Sequence, residues 1–243
     1  MSKVIIVTPF KCGSSTLSSI LTIYYNYNET WEQDETCIEK YNNNNKFILR
    51  GHTKLNYSLL QSKPFDIWFT IIRKPTDMYM SAYFQDISSK DYQYYFGDDS
   101  KVLEEPIQNL MDHFLQYEWN TINECSYQFN FNEIFKYTNI NILETPFNIE
   151  KGYSIYQSPI NQTKVVVLTM ETLPKIKNIL HELDIFTSHD FNVVKENNGD
   201  DKWYKNKYRD FKEIIHTSFF EKYKNEDNLI LSHFYNIPST NAI

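Results

Sequence analysis

Glycine is scarce in this chain: five residues among 243, namely Gly13, Gly51, Gly97, Gly152 and Gly199. They stand too far apart for the G-x-G-x-x-G loop that wraps a dinucleotide, which excludes that class of binding site. Cysteine is sparser still. Cys12, Cys37 and Cys125 have no paired spacing and leave one over. That excludes a disulfide framework and a zinc site, and predicts reduced thiols in a cytosol-like compartment. No apolar run approaches the roughly 20 residues of a membrane-spanning helix. The first residues lack the layout of a signal peptide, so the expected location is cytoplasmic. Basic residues are outnumbered, with 24 Lys+Arg against 31 Asp+Glu and a formal net charge of −7. This balance disfavours nucleic acid or an anionic membrane as partner but leaves room for a local basic pocket.

Aromatic residues, by contrast, are abundant: 19 Tyr and 17 Phe in a chain that is 41% hydrophobic. Such a composition buries a core and excludes a disordered chain. Val4-Ile-Ile-Val7 is a short continuous run rich in β-branched residues, as in a strand covered on both faces. Ser14 to Leu21 follows it as a Ser-rich helix start. Lys46 to Arg50 predicts a second strand, with a short helix over 55–61. Asp66 to Ile72 predicts a third strand, and Pro75 suits the first turn of the next helix. Pro106 opens another helix, Val165 to Leu168 another buried strand, and 173–183 an amphipathic helix. From Asp200 onward charge and aromatics alternate at helical spacing.

No repeat or long linker divides the chain. The expectation is a single α/β domain over 1–243 with a central parallel sheet flanked by helices. Two segments interrupt the alternation: a polar, aromatic insertion at about 88–106, and a stretch at 126–160 that reads as short strands and turns.

Chemistry concentrates where the predicted strands end. Lys11-Cys-Gly-Ser-Ser-Thr16 lies between a strand and a helix, where successive backbone N–H groups and the helix dipole hold phosphate-like anions. Gly13 permits close approach, Ser14, Ser15 and Thr16 offer hydroxyls, and Lys11 offers charge. A Ser-capped helix start beside a surface lysine accounts for the same residues. The order is not that of a nucleotide triphosphatase, whose lysine follows the last glycine. A Cys-dependent phosphatase needs an arginine shortly after its cysteine, and none occurs between Cys12 and Leu21. Arg73 ends another predicted strand, with Ser81 eight residues on, and an Arg fork with a Ser hydroxyl suits a phosphate. His52 follows a third strand. All three strand ends fall on one edge of a parallel sheet, where open α/β sheets bind ligands.

Together these segments resemble the sulfotransferases that use 3′-phosphoadenosine 5′-phosphosulfate (PAPS). Lys11 to Thr16 is similar to the family's 5′-phosphosulfate loop, and Arg73 with Ser81 to its 3′-phosphate motif. Gly51-His-Thr-Lys-Leu55 falls where the family carries the segment of its catalytic histidine. Val165 to Leu173 resembles its later strand and helix entry. Two further stretches, Pro146 to Tyr156 and Asp201-Lys-Trp-Tyr-Lys205, are similar to capsular polysaccharide synthesis proteins with an Asn-Lys-Trp-Tyr-Ser motif.

The resemblance implies a P-loop NTPase-like sulfotransferase fold, PAPS as donor with no metal, and a hydroxyl acceptor, with a carbohydrate as the expected class. It implies His52 as general base and Lys11 as stabiliser of the leaving group. Lys11, Cys12, Gly13, Ser14, Ser15 and Thr16 would bind the 5′ side, and Arg73 and Ser81 the 3′-phosphate. The C-terminal basic run of Lys202, Lys205, Lys207 and Arg209 offers further charge to the nucleotide, with Lys202 the candidate, although such a run also suits a solvated helix face. Departures from the pattern are specific: Phe10 replaces a proline, Thr16 a tryptophan that stacks on adenine, and the lysine before the histidine is absent. A P-loop small-molecule kinase and an inactive binding protein of the same fold remain open as alternatives.

Overall fold

Uniformly apolar segments form the interior of the sheet. The computed structural model describes residues 2–9, 11–31, 34, 36–51, 64–87, 99–116, 127–185, 202–215 and 220–238. Its strands are β1 (Ser2–Val7), β2 (Asn28–Trp31), β3 (Lys46–Gly51), β4 (Ile67–Ile72), β5 (Tyr153–Gln157) and β6 (Lys164–Thr169). They form a six-stranded sheet in the order β2-β3-β1-β4-β6-β5. Every neighbouring pair is parallel except β5 with β6. The middle residues of β1, β3, β4 and β6 are all buried. A strand covered on both faces needs no polar alternation, which is why these segments read as runs.

The helices are α1 (Ser14–Tyr25), α2 (Cys37–Asn43), α3 (Pro75–Asp86), α4 (Asp99–Glu104), α5 (Ile107–Gln116), α6 (Tyr127–Thr138), α7 (Ile176–Glu182), α8 (Lys205–Ile215) and α9 (Phe220–Tyr235). The architecture is therefore the expected one, a central, mostly parallel sheet flanked by helices. The chain divides into two compact units. One comprises Met1–Arg73, Thr121–Glu196 and His233–Asn236; the other comprises Lys74–Asn120, Asn197–Ser232 and Ile237–Ile243.

The first unit holds the whole sheet. After β1 the chain builds β2 and β3 on one side, then crosses to place β4 on the other. This reversal leaves a crevice at the carboxyl end of β1, the usual ligand position in open α/β sheets. Helix α1 packs its buried Leu17, Ile20 and Leu21 toward β1, β2 and β3. Helix α6 lies against β4: Thr70 Oγ1 donates to Asn130 Oδ1 at 2.8 Å, and the Trp68 and Tyr137 rings are 5.6 Å apart.

Two expectations need correction. The 126–160 stretch begins with twelve residues of helix, α6, rather than short strands and turns. Its buried positions, Tyr127, Asn130, Phe131, Glu133, Ile134 and Thr138, follow helical spacing, but three are polar, which masks the apolar period. The single helix expected over 173–183 is instead a 3-10 segment, Met170–Lys175, followed by α7. Pro174 lies inside that segment and has no N–H for a regular helical ladder. The predicted helix over 55–61 and residues 88–98 of the aromatic insertion lie outside the described residues.

In the second unit the core is aromatic. Tyr83 and Phe84 from α3 meet Phe114 from α5 and Phe211 from α8, with centroid separations from 5.0 to 5.9 Å. Edge-to-face pairs of this kind contribute about 0.5–1.5 kcal/mol beyond area burial. The Tyr83 hydroxyl donates to the Leu110 carbonyl at 3.1 Å and lies 2.8 Å from His113 Nδ1, so the ring is buried without stranding its polar end.

The turn before β5 rests on Gly152, whose φ of +74° is costly for any residue with a Cβ. A Cβ there would stand 2.0 Å from Thr172 Oγ1, which is itself 3.0 Å from Thr169 Oγ1. Gly152→Ala is expected to lower unfolding free energy by about 2–4 kcal/mol in urea titrations. A loss below about 1 kcal/mol would show that this turn relaxes freely.

Candidate anion-binding site at the end of β1

The strand β1 ends at Val7, and its chain must turn sharply to enter α1. Two residues take left-handed backbone to do so, Lys11 at φ 59° and Gly13 at φ 86°. Gly13 is the N-cap of α1 and makes no side-chain cap; its carbonyl accepts from Leu17 N at 3.2 Å. The first N–H groups of a helix have no intrahelical acceptor. No acidic side chain lies in the first turn of α1 to compete for them. Ser14 and Thr16 are buried, while Lys11 and Ser15 are half-buried at the rim. A Cβ on Gly13 would stand 2.7 Å from Met170 Sδ and 3.1 Å from Leu173 Cδ2, so the loop is pressed against the segment that follows β6.

Arg73 follows β4 and reaches this loop. Its Nη1 donates to the Lys11 carbonyl at 2.9 Å. Among the described residues no carboxylate pairs with Arg73. The guanidinium carries five N–H donors, and one suffices for this bond. Tyr127, the first residue of α6, fastens the backbone beneath. Its hydroxyl accepts from Arg73 N at 3.0 Å, donates to the Arg73 carbonyl, and lies 3.6 Å from Cys12 Sγ. From the far end of the chain, the Tyr235 hydroxyl lies 3.3 Å from the Ile72 carbonyl and 3.2 Å from Glu171 Oε2.

Cys12 is wholly buried, and burial pushes its thiol up to about 12, only partly countered by the Arg73 charge. A nucleophilic cysteine needs a depressed pKa and access to solvent. Cys12 has neither and acts as a packed thiol beneath the loop. Burial also pushes the Tyr127 hydroxyl well above its ordinary value. Both groups therefore stay neutral at neutral pH.

On the other side of β1, Arg50 near the end of β3 binds Glu29 Oε1 at 2.9 Å, donates from Nη2 to Ser15 Oγ, and lies 4.2 Å from the centroid of the Trp31 ring. Arg50 thus ties the edge strand β2 to the first turn of α1.

The structure brings Lys11, Cys12, Gly13, Ser14, Ser15, Thr16 and Arg73 together in the first unit. Ser81, on α3, and Lys202, just before α8, belong to the second unit. His52 lies outside the described residues; the residue before it, Gly51, pairs with Val7 at the carboxyl edge of the sheet. Sequence reasoning missed Tyr127, one tyrosine among 19 with no motif around it. It also missed the Glu29–Arg50–Trp31 contact, for which the only signal was an arginine near a strand end. Among the described residues no cluster of three or more His, Cys, Asp or Glu side chains could hold a metal ion. Among them, too, no helix is long and apolar enough to cross a membrane.

No protein-family model matches the chain, and no curated protein matches it. Among solved structures, the crystal structure of mouse sulfotransferase SULT7A1 complexed with PAP is similar at a TM-score of 0.43 and 13% sequence identity. The alignment covers 92% of this chain and 66% of that one, so this chain spans less than two thirds of its length.

The thiol offers a test of the buried loop. A folded-state pKa of about 12 against an ordinary 9.0 contributes stability that is fully present below pH 9 and is lost as pH rises through about 12. Cys12→Ala is expected to flatten the decline of denaturation midpoints over that window. Parallel slopes in the two proteins would show that the thiol ionises as freely as in an unfolded chain.

Proposed function

We propose that the chain transfers a sulfuryl group from PAPS to a hydroxyl acceptor. The observation that carries this reading is the Lys11–Thr16 loop, which opens α1 with no acidic residue in its first turn and is tied through its Lys11 carbonyl to Arg73. A single glycine behind a lysine, rather than ahead of it, favours a phosphosulfate loop over a triphosphatase loop.

The residues fit a nucleotide that carries anionic groups at both its 5′ and 3′ positions. The N–H groups of Ser14, Ser15 and Thr16 hold the 5′-phosphate, supported by the dipole of α1. Arg73 takes the 3′-phosphate, with Ser81 assigned to the same group by the sequence resemblance and Lys202 to the nucleotide by its place in the C-terminal basic run. Lys11 stabilises negative charge developing on the bridging oxygen as the donor bond breaks. His52 takes the proton from the acceptor hydroxyl. Positioning and charge stabilisation supply most of the acceleration in group transfers of this type. A glycan is the acceptor this reading favours, since sugar rings pack on aromatic faces and the reading assigns the acceptor side to the 88–106 and 126–160 segments, which include Tyr92, Tyr94, Tyr95, Phe96, Tyr153 and Tyr156. The stretches resembling capsular polysaccharide synthesis proteins favour the same class.

Two substitutions test the assignment. Arg73→Ala is expected to weaken adenosine 3′,5′-bisphosphate by roughly tenfold or more beyond any loss for 5′-AMP, as calorimetry would report. Equal losses for both nucleotides would remove the 3′-phosphate role. His52→Ala is expected to abolish sulfate transfer, followed with labelled PAPS against a panel of glycans and simple alcohols, while nucleotide affinity changes by less than about threefold. Unchanged turnover would remove His52 as the base.

A further inference from the structure

We infer that Tyr127 is a positioning residue for the anion cradle, acting through the backbone of Arg73 and through Cys12. The inference concerns the same site as the proposed function and takes its ligand from that reading.

A tyrosine hydroxyl has one proton to give and two lone pairs to receive. The proton goes to the Arg73 carbonyl, one lone pair receives Arg73 N–H at 3.0 Å, and the other faces Cys12 Sγ at 3.6 Å. With the hydroxyl proton committed to Arg73, the thiol is the donor in the third contact. All three capacities are used at one buried point, and Tyr127 is 1% exposed. Arg73 is the first residue past β4, where neither its N–H nor its carbonyl has a sheet partner in the β4–β6 register, which ends at Ile72 and Thr169. Tyr127 supplies both partners. The Arg73 side chain then carries the constraint onward by donating to the Lys11 carbonyl at 2.9 Å. Cys12, the next residue, is held from below by the same hydroxyl. One side chain on α6 therefore fixes the loop from two directions, although it is 54 residues from Arg73 and 115 from Cys12.

A packing role for the ring alone predicts a different outcome from a role for the hydroxyl. Tyr127→Phe keeps the ring and deletes all three contacts. Thr70→Val is the matched control, since it deletes the buried hydrogen bond from β4 to Asn130 on the same helix without touching Arg73. In the full chain without nucleotide, alkylation of Cys12 by iodoacetamide, read by peptide mass spectrometry, is expected to rise roughly tenfold or more in Tyr127→Phe and less than about threefold in Thr70→Val. Affinity for adenosine 3′,5′-bisphosphate is expected to fall by a similar factor in the first variant only.

Equal labelling of the two variants, or none above the unsubstituted chain, overturns the inference. In the unsubstituted chain the Arg73 amide should exchange as slowly as the interior amides of β4; exchange at the rate of a free loop amide overturns it even if Tyr127→Phe does not fold. If the unsubstituted chain binds no bisphosphate, the proposed function falls, while the labelling and exchange results still decide the role of Tyr127.

Discussion

The bond from Arg73 Nη1 to the Lys11 carbonyl is the contact on which the arrangement at the sheet edge depends. Lys11 sits in left-handed backbone, at a cost of roughly 1–2 kcal/mol for a residue with a side chain. A hydrogen bond from a charged donor contributes about 1.5–3 kcal/mol, enough to offset that cost. The strand register makes the contact possible. Ile6 pairs with Phe69, so Val7 stands level with Thr70, and β4 runs on to Ile72 before Arg73 appears. The exit of β4 therefore rises beside the loop rather than beside the strand that precedes it. On the other side Gly51 of β3 stands level with Val7.

The legible parts of the fold were those in which burial on both faces turned a strand into an uninterrupted apolar run. Val4 to Val7, Phe47 to Leu49 and Val165 to Leu168 are such runs, Ile67 to Ile72 is broken only by Thr70, and each lies in the sheet. Where burial was satisfied by polar pairing, the pattern failed. Asn130 and Glu133 occupy the buried face of α6 because Thr70 and Lys136 offer them partners, so a helix with no clean apolar stripe still packs. β2 has four residues with one of them buried, too short a signal against its polar setting. The anion loop was legible because its residue types are constrained by their neighbours: Gly13 could not carry a Cβ against Met170. Tyr127 was not legible, because its role comes from a contact with residues remote in sequence.

The excess of acidic residues obscures a division of labour between two arginines at the carboxyl edge. Arg50 and Arg73 flank β1 on opposite sides, and each touches the segment that opens α1, through Ser15 in one case and the Lys11 carbonyl in the other. Their charges are used differently. Arg50 is largely buried, pairs with Glu29 and rests against Trp31, so its charge is answered within the protein. Arg73 is tied to a neutral carbonyl, and among the described residues it has no carboxylate partner. A buried ion pair contributes little field at a distance, whereas an arginine bound to a carbonyl keeps its full charge. The positive potential of this edge therefore belongs to the β4 side. A ligand with two anionic groups gains most by placing one at the N-terminus of α1 and the other toward Arg73.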